Sequence, residues 1–130
     1  MSDQAIILFA HGARDPEWAA PFRAIQRQLQ AARSDVLVLV AFQEFMAPSL
    51  EAAVAQSLAQ GARRVVLAPL FLAQGSHMKR GLPLLVEKMQ VRYPQLELQV
   101  LPALGETPEI LRCVADWVLR AGFAQPGSQV

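Results

Sequence analysis

The chain has a single cysteine, Cys113. No intrachain disulfide can hold it together, and a lone thiol fits a reducing compartment. Apolar runs are short: the longest, 36–42 and 65–73, fall far below the ~18 residues that a membrane-spanning helix needs. No basic segment leads into an apolar stretch at the start, so no signal peptide is expected and the cytoplasm is the expected compartment. One-sided charge is also missing. The net charge is +1 and the cations are scattered, with Arg23, Arg27 and Arg33 at helical spacing and Arg63-Arg64 ahead of an apolar run. A nucleic-acid binder needs a concentrated basic face, so that class is set aside. There is no GxSxG elbow, no GxGxxG after the first apolar run and no Walker loop, which leaves a serine triad and nucleotide binding without support.

What the chain does have is apolar residues, 53% of 130. That is enough for one well-filled domain, expected over residues 1–124, with a frayed tail at 125–130 containing Pro126, Gly127 and Ser128. Ala5 to Ala10 reads as a first strand. Asp15-Pro16 starts a helix that runs to about Ala32, with Phe22, Ile25 and Leu29 facing the core and Pro21 either kinking it or marking its true start. Asp35 to Phe42 is apolar on both faces and predicts a central parallel strand. Pro48-Ser49 opens a helix carrying Leu50, Ala53, Val54 and Leu58, and Gly61 closes it. Val65 to Leu72 is a third strand, followed by a polar turn, Gln74-Gly75-Ser76-His77. A helix beginning at Lys79 or Arg80 follows, with Pro83 in its first turn. Leu96 to Leu101 alternates like an edge strand. Thr107-Pro108-Glu109 opens a last helix whose stripe of Ile110, Leu111, Val114, Trp117 and Val118 is expected to be buried. Four strands each followed by a helix predict an α/β fold. It is a single three-layer domain with a four-stranded parallel sheet and helices on both faces.

In such a sheet the loops after the strands emerge on one edge, where ligands collect. His11 follows the first strand, Glu44 the second and His77 the third. Both histidines of the chain therefore fall at the ligand edge beside a carboxylate. Two imidazoles and a carboxylate suit a divalent transition metal with open positions, or acid–base chemistry. Each residue also has a plainer reading. His11 could satisfy a backbone carbonyl, Glu44 could be a solvated loop carboxylate, and His77 could cap the next helix.

The segments His11-Gly12-Ala13-Arg14-Asp15, Glu44-Phe45-Met46-Ala47-Pro48-Ser49-Leu50 and Pro69 to Arg80 together resemble the sirohydrochlorin chelatase family, in its short single-domain form, over nearly the whole chain. The resemblance implies a class II chelatase fold. It also implies an enzyme that inserts cobalt, or iron or nickel, into a sirohydrochlorin-type tetrapyrrole for cobalamin or siroheme, with the metal as substrate and no organic cofactor. It makes His11 and His77 metal ligands and Glu44 an assisting carboxylate. Because sirohydrochlorin carries eight carboxylates, Arg14, Lys79 and Arg80 become candidate substrate contacts, and Phe45, Met46 and Leu82 candidate packing against the macrocycle. A tetrapyrrole ~15 Å across would overhang so small a sheet, and longer members of the family join two such domains, so a homodimer is expected. Two positions depart from the family pattern. Gly81 stands where an aspartate is frequent, and Ala13 where a serine is. The Gly81 departure keeps a binding protein of the same fold, without insertion activity, as the alternative.

Overall fold

A computed structural model of the protein describes residues 2–123, the His77 side chain excepted; the expected tail at 125–130 lies outside the described residues. Four parallel strands, β1 (Gln4–Ala10), β2 (Leu37–Phe42), β3 (Arg64–Pro69) and β4 (Glu97–Val100), form one sheet in the order β2-β1-β3-β4. The helices are α1 (Ala20–Ala32), α2 (Leu50–Ala59), α3 (Ser76–Arg92) and α4 (Pro108–Gly122).

The strand order corrects one expectation. β2 is an edge strand, and β1 is central together with β3. β2 reads as central because helices cover both of its faces: Val40 and Phe42 pack on the α1 side, and Ala41 packs with α2 residues on the other. Apolar residues on both faces report coverage by helices, not the number of hydrogen-bonded neighbours.

Alternate residues of β1 divide the core between two faces. Ala5, Ile7 and Phe9 join α2 and α3, packing with Val54, Met78 and Met89, whereas Ile6, Leu8 and Ala10 join Ala19, Phe22 and Leu29 on the α1 side. That period of two is the pleat itself.

Helix starts follow local chemistry. Asp15 Oδ1 accepts the Glu17 N–H at 2.9 Å and caps a 3-10 turn, Pro16–Ala19. The α-helical stretch begins only at Ala20, so Pro21 lies in its first turn, where its missing N–H is no loss. Ile25 is 40% exposed and does not belong to the core with Phe22 and Leu29. Ser49 Oγ accepts the Ala52 N–H at 3.1 Å at the start of α2. Gly61, with φ of +99°, follows the end of α2 in the left-handed conformation that favours glycine.

Two further boundaries move. β3 ends at Pro69 and not Leu72, and α3 begins at Ser76, three residues before the expected Lys79. His77 therefore opens a helix rather than closing a turn, and Pro83 lies well inside α3. The last correction is α4. Leu111, Val114, Trp117 and Val118 are not buried but 43–56% exposed: α4 meets the short turn Leu104–Glu106 before it, and none of its residues joins either core cluster of the described residues.

Candidate active site at the carboxyl edge of the sheet

The chain leaves β1 towards β2 on one side, and β3 lies on β1's other side, so the topological switch falls between β1 and β3. The crevice outside the carboxyl ends of strands at such a switch is where α/β sheets hold ligands. His11 is the first residue after β1, and strand register decides its neighbours. Ala10 is partnered with Phe42 and Phe9 with Pro69. One step further along β1 and β2 brings Gln43 beside His11, and two steps along β1 and β3 bring Phe71 there.

The parallel pairing continues beyond the strands. The Gln43 N–H donates to Ala10 O at 2.9 Å, the Glu44 N–H to His11 O at 3.0 Å, and the Leu70 N–H to Phe9 O at 2.8 Å. Through these bonds His11 inherits the order of the central strand. Its imidazole is half-buried. Nδ1 lies 2.9 Å from Gln43 Oε1, and the ring rests on Phe71 at 4.3 Å between centroids, tilted by 43°. Phe71 is itself fully buried and edge-packed on Phe9 at 5.4 Å, so the imidazole is anchored to the core through one aromatic contact.

Gly12 makes this closeness possible. Its φ is +92°, and a Cβ there would collide with the Glu44 carbonyl oxygen. The glycine after His11 is a steric requirement of the β1 and β2 loops approaching each other, more than a relaxed turn. Gly105 has the same relation to the Leu72 carbonyl across the β3 and β4 loops, where its N–H donates to Phe71 O at 3.0 Å.

Glu44 is exposed on the loop after β2, its peptide fixed by the bond to His11 O. Phe45, next to it, has φ of +67° and is 58% exposed. A non-glycine residue held left-handed with its phenyl in solvent is a conformation that proteins retain where a site uses it. The Arg14 guanidinium lies over that phenyl at 4.8 Å, so Arg14 and Phe45 form one exposed cationic and aromatic unit at the rim. Met46 turns the other way and packs against the α1-side core, which fits core lining better than a substrate face. Leu82 is also a core residue, 7% exposed. Lys79 and Arg80 are exposed in the first turns of α3. The backbone of His77 lies in the first turn of that helix, and its side chain is outside the described residues. Among the described residues, no group of three His, Cys, Asp or Glu side chains comes close enough to hold a metal ion.

Two cavities flank the start of α3 and share Met78 and Leu82. One, of about 390 Å³, opens towards β2 and is lined by Gln43, Ser49, Glu51 and Gly81 among others. The other, of about 630 Å³, opens towards β4 and includes Lys79, Gln74 and Leu101. Both fall in the range of small-ligand sites. A Cβ added at Gly81 would meet nothing within 4 Å, so this position at the wall of the smaller cavity has room for a side chain.

Gln43 and Phe71 are missing from the sequence-derived set. Their signal is the register, and it becomes readable only when β1 is known to lie between β2 and β3.

The chain is similar to known proteins along most of its length. The family model described as CbiX matches residues 5–121. A sirohydrochlorin cobaltochelatase of Saccharolobus islandicus (strain L.S.2.15 / Lassen #1) is 32% identical over 102 residues, covering 75% of this chain and 78% of the relative. The sirohydrochlorin cobaltochelatase of Saccharolobus solfataricus is 31% identical over 99 residues, 73% of this chain and 76% of the relative. Among solved structures, the putative cobalamin (vitamin B12) biosynthesis CbiX protein of Marinobacter aquaeolei VT8 superposes with a TM-score of 0.78 at 24% identity, covering 94% of this chain and 99% of that one. At that identity the likeness is one of fold. The sirohydrochlorin chelatase SirB of Bacillus subtilis subspecies spizizenii, in complex with cobalt, matches with a TM-score of 0.72 at 25% identity over 89% of this chain but only 49% of its own. This chain spans about half of SirB.

Proposed function

The chain belongs to the CbiX family, and on that footing we propose that it is a sirohydrochlorin chelatase, inserting a divalent metal, cobalt foremost, into a sirohydrochlorin-type tetrapyrrole. The observation that carries the reading is the sheet edge itself. His11, Glu44 and the first two turns of α3, which hold His77, Lys79 and Arg80, all open on one rim at the β1/β3 switch.

The chemistry asks for little else. A hydrated divalent cation sheds water, two pyrrole N–H protons leave, and four nitrogens take the metal; the products are the metallated macrocycle and two protons. Imidazole ligands at His11 and His77 hold the cation while leaving positions open for incoming nitrogens. Glu44, exposed on the loop after β2, accepts a departing proton. Arg14, Lys79 and Arg80 face the carboxylate periphery, and the Phe45 phenyl offers an aromatic surface to the macrocycle. The reaction needs no organic cofactor. Turnover requires that this set favour the half-transferred metal over either bound partner.

The active form is a homodimer. α4 carries an apolar stripe that the described residues leave exposed. On the α1 face of the sheet, Val66 and Ala68 of β3 are only half-buried, while Val65 and Leu67 on the opposite face are sealed. A stripe left uncovered among the described residues, and a β3 side of the α1 face that is only half-covered, suit reciprocal packing between two copies. SirB, about twice as long, has the length for two such units. Among the described residues no helix is long and apolar enough to cross a membrane, and the single cysteine supports a place in the cytoplasm, in the cobalamin or siroheme branch.

The test is turnover. With sirohydrochlorin and Co²⁺ under anaerobic conditions, the protein should speed the spectral change to the metallated macrocycle, and His11→Ala or His77→Ala should remove most of the acceleration and weaken Co²⁺ binding at least tenfold. A wild type that binds metal or macrocycle but accelerates nothing with cobalt, iron or nickel would replace the enzyme with the binding-protein alternative.

A further inference from the structure

We propose that Gln43 is a positioning residue that fixes the tautomer of His11, so that Nε2 is the nitrogen that meets the metal. The inference rests on His11 being a metal ligand.

An amide oxygen can only accept a hydrogen bond. With Gln43 Oε1 2.9 Å from His11 Nδ1, the ring proton sits on Nδ1 and the Nε2 lone pair is left bare. A neutral imidazole offers a metal one lone pair, and the hydrogen bond made by the other nitrogen decides which. Metal-ligating histidines commonly donate that other N–H to an oxygen, which fixes the ring and raises its basicity. Here two contacts from opposite sides restrain the ring: Gln43 at its Nδ1 edge from the loop after β2, and the buried Phe71 against it from the loop after β3. Gln43 is itself tied to the sheet by its N–H bond to Ala10 O, so both restraints are built from strand register.

The opposite amide orientation would place an NH₂ donor against Nδ1 and leave the proton on Nε2, the wrong nitrogen for ligation. Glutamate at position 43 cannot adopt that orientation, because a carboxylate only accepts, and this makes the assignment decidable.

The experiment reads ¹⁵N shifts of the imidazoles in metal-free protein at neutral pH, followed by Co²⁺ titration. The chain holds two histidines, and a His77→Ala background isolates His11. The wild type should show Nδ1–H. Gln43→Leu should move the proton towards Nε2 and weaken Co²⁺ binding by about tenfold, the lower end of what losing such a partner costs. Gln43→Glu should keep both the Nδ1–H signature and the affinity. Protonation on Nε2 in the wild type would overturn the proposal, as would unchanged tautomer and affinity in Gln43→Leu, or a loss in Gln43→Glu as large as in Gln43→Leu. If Gln43→Leu fails to fold, the wild-type spectrum and Gln43→Glu still decide. An Nδ1–H spectrum in a wild type that binds no Co²⁺ would uphold the tautomer assignment and sink the chelatase reading.

Discussion

Helices α1 and α4 are both amphipathic, of similar length, and each opens with a proline in its first turn. Their fates differ. Phe22 and Leu29 of α1 pack against Leu8, Val40 and Phe42, and the Gln30 side chain binds back to β2, donating to Val36 O at 2.6 Å and accepting the Val38 N–H at 3.2 Å. α4 has the stripe but no such anchor among the described residues. An apolar stripe shows which side of a helix requires cover and nothing about what covers it. α1 follows the central strand and returns over the sheet. α4 follows the edge strand β4, beyond which the described chain has no further strand to cross to.

The sharpest way to break this comparison is a matched pair of truncations. Phe22→Ala should destabilise the protein towards the lower end of about 3–5 kcal/mol, the usual cost of removing a packed phenyl, at any protein concentration. Trp117→Ala should cost less than about 0.5 kcal/mol in dilute protein, as surface changes do, yet lower the thermal midpoint at high concentration, where dimer contributes. Chemical denaturation at two concentrations reads both. Equal losses at dilution would mean that α4 packs on its own body after all.

A charge within the stripe extends the test to function. Trp117→Asp should give a 14.3 kDa species by light scattering, keep Co²⁺ affinity within about twofold, and lose tenfold or more in metal insertion. The His11 environment is built by the loops after β1, β2 and β3 within one chain, whereas in the proposed dimer the second copy completes the wall around a tetrapyrrole. A monomeric variant with full turnover would remove the dimer from the mechanism.

Gly81→Asp probes the cavity between α2 and α3. The position is sterically open, so the fold should persist at a cost of less than about 1 kcal/mol, glycine in a helix being no better than aspartate. If the missing carboxylate limits the reaction, turnover rises a few-fold. A rate unchanged or lower would clear Gly81 as the limiting feature.

The smallest effect lies just past α1. Arg33 meets Asp35 through two hydrogen bonds, Nε and Nη2 each at 2.8 Å, and the guanidinium lowers the Asp35 carboxyl from its ordinary 3.8 to about 2. A depressed carboxyl pKa stabilises the fold above the ordinary value, and the contribution fades as pH falls through about 2. Both side chains are more than half exposed, so salt screens the effect. NMR titration of Arg33→Ala should return Asp35 towards 3.8 with little change in stability at neutral pH.

The rim that carries the candidate site could be read from residue order. His11, Glu44 and His77 each follow an apolar run, and alternation of strands with helices puts all three at one edge whatever the strand order. The boundary of α3 was less legible. Gly75 serves as its N-cap without a side-chain bond, so no capping residue announces the start, and Pro83 suggests a helix that begins later than it does.

By itself the sequence determined the parallel α/β class, the caps at Asp15 and Ser49, the amphipathic faces and the rim on which the histidine loops emerge, because these follow from local periodicity, capping and the handedness of crossovers. Tertiary structure alone decided that β1 lies between β2 and β3. That placement puts Gln43 and Phe71 on either side of His11, requires glycine at position 12, and leaves α4 uncovered among the described residues. Neighbours across a sheet are chosen by which strands pair, and pairing depends on how all the apolar faces are covered at once, which no single segment encodes.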